Sequence, residues 1–258
     1  MPSKRLPELS AWQVQLLRLS SFRTPLFKIE APTWWADLLD TPPDEVTSRP
    51  KEGLYLETGT VEERKLSFQI QPERIDWTLT PLDPTGAAQI TGLPSLGSFP
   101  VTLASFMDLM LRWLPVCPPA NRLAFGCVLF QPAENRQAGY LQTAKYLDGI
   151  VTLDPENSSD FFYQINRPRP SGTELQGLRI NRLSRWSVIL FEGFRLVLSK
   201  AELTTQPYAV QQSACRLELD VNTVPESFGP ELPHEALAKV FQELVAVSEE
   251  IARSGDIP

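Results

Sequence analysis

The stretch LSFQIQPERIDWTL, Leu66 to Leu79, decides the fold class. Leu66, Phe68 and Ile70 alternate with Ser67 and Gln69, and after Gln71-Pro72-Glu73-Arg74 the residues Ile75, Trp77 and Leu79 resume the alternation. A period of two sends successive side chains to opposite faces of a strand, and a polar, proline-containing break between two such runs reads as an antiparallel hairpin. One face of that hairpin is wholly apolar, so it needs a cover.

Working outward, residues 1 to 60 carry prolines at 2, 7, 25, 32, 42, 43 and 50, which remove backbone donors and predict extended segments with short helical turns. Trp12, Val14 and Leu16 alternate with Gln13 and Gln15, as in a half-buried strand, with a helix as the alternative. Thr33 is placed to cap a short helix opened by Trp34-Trp35. Asp83 to Pro100, rich in Gly, Pro, Ser and Thr, reads as a surface loop. Beyond it Thr102 caps a helix whose Leu103, Phe106, Met107, Met110, Trp113 and Leu114 share one face and which ends before Cys117-Pro118-Pro119. The unbroken apolar run Leu123 to Phe130 predicts a central strand covered on both faces, followed by a helix from Gly139 to Leu147.

A second half opens at the turn-rich Asp154 to Asp160. Phe161 to Arg167 reads as a strand, Leu178 to Leu198 as one or two more, and in Cys215 to Val221 the residues Leu217, Leu219 and Val221 oppose Glu218 and Asp220. The chain closes on a helix begun by Pro233, with Leu237, Val240, Phe241, Leu244, Val245, Ser248 and Ile251 in one stripe and Gly255 at its end. The expected class is α+β: antiparallel sheets with long amphipathic helices packed on them, in two loosely similar halves, 1–153 and 154–258. No residue-level repeat accompanies the two halves.

A chain of 258 residues that is 42% apolar can bury a large core, and a net charge of −7 argues against a general binder of nucleic acid or anionic membrane. No apolar run approaches the ~18 residues of a membrane span, and MPSKRLPELS lacks the apolar core of a secretory signal. A cytoplasmic protein is expected, with no membrane partner. Cys117, Cys127 and Cys215 have no Cys-x-x-Cys spacing and read as buried thiols.

The chain holds no Gly-rich phosphate loop, Gly-x-Ser-x-Gly elbow or His-Glu-x-x-His. With His234 as its one histidine, a triad or multi-histidine metal site is excluded within the chain; His234, in the first turn of a helix, reads as structural. No catalytic residue, metal ligand or cofactor is assigned. Glu218 and Asp220 share a strand face, which holds Mg²⁺ only where other oxygens converge; salt bridges or solvation is the plainer reading. The uneven feature is basic. Residues 161–200 carry Arg167, Arg169, Arg179, Arg182, Arg185, Arg195 and Lys200 against Glu174 and Glu192, a local +5. Residues 201–258 carry ten acids against Arg216, Lys239 and Arg253, a local −7. Either the two segments pair inward, or the arginines display a basic face to anions or nucleic acid. The candidate binding residues are Arg167, Arg169, Arg179, Asn181, Arg182, Arg185 and Trp186, and Ile-Asn-Arg occurs among them twice, at 165–167 and 180–182.

Gly177-Leu-Arg-Ile-Asn-Arg182, Leu217-Glu-Leu-Asp-Val221 and His234-Glu-Ala-Leu-Ala-Lys-Val-Phe241 occur in that order over the last third of the chain. They resemble a sporadically distributed bacterial family of uncharacterised proteins with a Gly-Leu-Arg-Tyr-Ile-Asn-Arg motif, a Leu-Asp-Ile-Asp-Val strand and a closing Leu-His-Glu helix. The motif's tyrosine is missing before Ile180, and Pro233 replaces the leucine before His234. The resemblance implies a shared fold and a role in accessory systems such as defence modules, and supplies no catalytic residue. The leading expectation is a non-catalytic subunit that binds another protein. The alternatives are a nucleic-acid or nucleotide-binding module using the 161–200 arginines and a carboxylate-metal enzyme.

Overall fold

The computed structural model describes residues 6–23, 33–82, 92–198, 203–224 and 231–256, with the backbone alone over 192–198 and 203–211. Arg195, Lys200 and residues 83–91 of the expected surface loop therefore lie outside the described side chains or residues. The fold is α+β: among the described residues, one large antiparallel sheet and four helices. The strands are β1 (Gln13–Phe22), β2 (Glu45–Arg49), β3 (Leu54–Val61), β4 (Arg64–Gln71), β5 (Arg74–Pro81), β6 (Arg122–Ala133), β7 (Phe162–Asn166), β8 (Arg169–Pro170), β9 (Arg179–Leu198) and β10 (Leu203–Thr223). Their order is β2-β3-β4-β5-β1-β6-β10-β9-β7, with β8 also on β9. The β4–β5 hairpin pairs Phe68 with Trp77 and Ile70 with Ile75, as the opening sequence requires.

Helices α1 (Trp34–Leu39), α2 (Phe99–Trp113), α3 (Arg136–Tyr146) and α4 (Leu237–Ser254) all lie on the same face. Trp35 stacks on Trp77, Trp113 of α2 meets Trp77 edge-on, Tyr146 of α3 stacks on Trp186, and Phe241 of α4 meets Phe125. These large rings are fully or almost fully buried and fill the space between sheet and helices. The sheet passes without a break from the first half of the chain to the second, because β6 pairs with β10 over ten positions, Ala124–Ala133 against Ser213–Asn222.

Several local readings shift. In β1 a register shift between Val14 and Leu16 hands the covered face from Trp12 and Val14 to Leu17 and Leu19, leaving Leu16 on the other face. Thr33 donates to the Asp37 carboxylate instead of capping α1. Helix α2 begins earlier, at Phe99 after Ser98, and Thr102 instead donates to the Leu96 carbonyl from within the buried face. Strand β6 is central, but described helices cover only its odd-numbered side chains. On its other face Ala124, Gly126 and Phe130 are buried, Arg122 and Val128 are half-buried and Pro132 is exposed. His234 lies in a 3-10 turn preceding α4, its Nε2 3.2 Å from the Cys117 carbonyl. Gly255 ends α4 at φ 81, where a Cβ would stand 2.0 Å from the Tyr146 carbonyl oxygen.

Candidate functional site

Strand alternation divides the predicted arginine cluster. In β9 the even-numbered side chains, Ile180, Arg182, Ser184 and Trp186, face the helices, while Arg179, Asn181, Leu183 and Arg185 face the other way. Strand β7 follows suit, with Tyr163 beside Trp186 and Gln164 beside Arg185. The two Ile-Asn-Arg repeats lie side by side: the Asn166 amide donates to the Asn181 side chain at 2.9 Å, the Arg182 N–H donates to Asn166 Oδ1, and the Arg167 N–H reaches the Arg182 carbonyl.

On the covered face Arg167 grips Asp256 with a fork, Nε to Oδ1 at 2.8 Å and Nη2 to Oδ2 at 2.9 Å, and the Tyr163 hydroxyl donates to the same carboxylate at 2.7 Å. Arg169 pairs with Glu250 at 3.0 Å. Arg182, only 6% exposed, lies in the field of these four charges. Its burial and the charges of Arg169 and Arg167 push its guanidinium below the ordinary value against the pull of Glu250 and Asp256. Burial alone would raise the Asp256 carboxyl, but the donors Arg167 and Tyr163 and the charge of Arg182 outweigh it and hold Asp256 low. Arg167 and Arg169 are thus paired inward at the end of α4, and Arg182 is buried beside them. Trp186 has no exposed surface; its ring packs against both Tyr146 and Trp12, which also touch each other, in the core.

The other face has no described helix upon it. Arg185 donates to Gln164 at 2.9 Å and to Glu218 at 3.1 Å, and Arg216 also pairs with Glu218. Arg18 lies 3.9 Å from Asp220, and its guanidinium passes over Gly126, where an added Cβ would meet it at 3.4 Å. The Asn222 amide donates to Asp220 at 2.8 Å, and Asn181 donates to Asn222 at 3.1 Å, extending an amide row to Asn166. Arg122 stacks over Phe22, 4.5 Å from the ring centre, and Arg185 over Phe162, at 5.7 Å. A groove of about 280 Å³ runs along this face between Arg18 and Arg185, with Glu218 and Asp220 in its wall.

The sequence missed Arg18, Arg122 and Arg216, which come from three strands far apart in the chain. Only the period of two in each strand marks them, and that says which face they take, not which arginines they join. Glu218 and Asp220 do share a face, but guanidinium groups occupy or flank their oxygens, which opposes a bound cation. Among the described residues no three His, Cys, Asp or Glu are grouped to hold a metal, and no helix is long and apolar enough to cross a membrane. Scans against protein-family models, curated proteins and solved structures returned no match.

Proposed function

We propose that this chain is a non-catalytic binding or assembly subunit that contacts another protein, in a bacterial accessory system of the kind its C-terminal motifs resemble. One observation carries the reading. Beyond residues 191 and 212, strands β9 and β10 pair with each other alone among the described residues, since β7 reaches only Ser187 and β6 only Ser213. The resulting two-stranded ribbon extends roughly 26 Å at the usual strand rise. A two-stranded ribbon is marginal by itself in water, and its outer edges offer unpaired backbone donors and acceptors. The β9 side, VILFEGFRLVL from Val188 to Leu198, has only Glu192 and Arg195 to deter strand pairing. Such a ribbon suits a partner that completes it.

The test is affinity purification of the full chain from its native host, beside a variant in which residues 192–211 are replaced by an Asn-Gly turn. A stoichiometric protein retained by the first and lost from an equally stable second is expected. No stoichiometric partner, or one held equally by both chains, ends the proposal.

A further inference from the structure

The open face of the sheet is a second and separate surface, and its chemistry differs from that of the ribbon. Across β1, β6, β10 and β9 it carries Arg18, Arg122, Arg179, Arg185 and Arg216 against Glu218 and Asp220, five cations to two carboxylates. That is a local +3 on a chain of formal charge −7, so the remainder is more acidic than the whole. A random scatter of charge on an acidic protein would give the opposite sign. The five arginines come from four strands, and alternation alone aims them the same way.

A second copy packing sheet to sheet does not suit this face, because stacked sheets bury apolar inner faces and this one would bring five arginines and two carboxylates into the seam. An acidic peptide suits it poorly too. Glu218 and Asp220 sit in the middle of the groove, where they repel carboxylates, and cations alone would have served such a ligand. What remains is a surface with three kinds of group together. Guanidinium groups lie at its rim, Arg122 on β6 and Arg179 on β9. Aromatic rings already lie beneath guanidiniums, Phe22 under Arg122 and Phe162 under Arg185, and Phe162 is 59% exposed. The row Asn166, Asn181 and Asn222, beside Glu218 and Asp220, supplies amides and acceptors. Single-stranded nucleic acid has the matching set: phosphates for the rim, base planes for the rings, and base edges whose amino groups donate to carboxylates and amides.

We propose that the open face between β1 and β9 binds single-stranded nucleic acid, phosphates toward Arg122 and Arg179 and bases over the groove walled by Glu218 and Asp220. The assembly reading and this one stand on different surfaces, and neither needs the other.

The experiment is fluorescence anisotropy of the full chain with labelled oligocytidylate and oligodeoxycytidylate, whose bases carry the amino group, between about 50 and 200 mM salt, with labelled polyglutamate as the competing chemistry. Binding should weaken steeply with salt. In R122Q/R179Q affinity at the lower salt should fall about tenfold and the logarithmic salt slope should flatten by about 1.4, two phosphate contacts at about 0.7 each. Because E218Q/D220N releases Arg185, Arg216 and Arg18 from their carboxylates, it should change affinity in the other direction, upward by several-fold at the same salt. This second variant decides the matter should the first fail to fold. Absence of oligonucleotide binding at the lowest salt, an unchanged slope in folded R122Q/R179Q, or no gain in folded E218Q/D220N overturns the assignment. So does polyglutamate held as tightly as the oligonucleotides, which makes the face a dock for acidic protein.

Discussion

Replacing Asp256 tests whether the inward-facing arginines hold the end of α4 to the β7–β9 edge. Its side chain is 4% exposed, accepts a two-pronged contact from Arg167 and a hydrogen bond from Tyr163, and stands near buried Arg182. Removing one partner of a buried pair costs about 3–5 kcal/mol, since the other charge is left without compensation. The Arg167 side chain is 28% exposed and keeps some access to water, so D256A is expected at the lower end, about 3 kcal/mol, and D256N at about 2 kcal/mol because it preserves shape and one acceptor. At about 2–4 °C per kcal/mol for a chain of this size, D256A should melt about 6–12 °C lower. Urea unfolding from neutral to acid pH provides the second readout. Asp256 has a folded value below its ordinary one, so its stabilisation is complete above the unfolded carboxyl value near 4 and is lost as pH falls through the folded value. The gap between wild type and D256N should be constant from about pH 7 to 5 and shrink below about pH 4. A D256A cost under about 1 kcal/mol, or a gap that persists undiminished into acid, would refute the coupling.

Glu57 is 5% exposed with Tyr55 donating to it at 2.6 Å, and burial raises its carboxyl despite that bond. E57Q should therefore stabilise at neutral pH by about 1 kcal/mol, an advantage that disappears as falling pH protonates Glu57; destabilisation at pH 7 would contradict this. G255A should cost at least about 2 kcal/mol in the same unfolding assay, since it combines a left-handed φ with a Cβ in the Tyr146 carbonyl; a neutral result would mean that the α3–α4 junction is not as close as described. Burial pushes the Cys117 and Cys215 thiols up to about 12 and that of Cys127 up as well. All three should resist a thiol-specific reagent until denaturant is added, and rapid native labelling would count against their burial.

Where a residue's surroundings follow from its neighbours in sequence, the chain could be read directly. Leu66 to Leu79 forms the expected hairpin, Leu217, Leu219 and Val221 do oppose Glu218 and Asp220, and the apolar stripe of α4 is buried. Caps were less legible. Thr33 and Thr102 have the right chemistry for helix starts, but each hydroxyl found a nearer partner, Asp37 and the Leu96 carbonyl. The candidate site was legible only in part. Arg179 and Arg185 do lie on an open face, whereas Arg167, Arg169 and Arg182 turn to Asp256 and Glu250, and Trp186 enters the core.

The sequence by itself indicated the β4–β5 hairpin, strands β6, β7 and β9, helices α2 and α4, and the alternation of side chains within each unbroken stretch, because those depend on periods of two and about 3.6 that a short window contains, whereas β2, β3 and the shift that turns Leu16 away from Val14 depend on pairing. Only the tertiary structure decided which arginines act together. Charge along the chain adds up regardless of direction, but a strand sends neighbours to opposite faces, and pairing then brings Arg18, Arg122 and Arg216 from distant segments to stand with Arg185. A run of like charge in sequence becomes two groups in space, one neutralised against α4 and one laid across an open sheet.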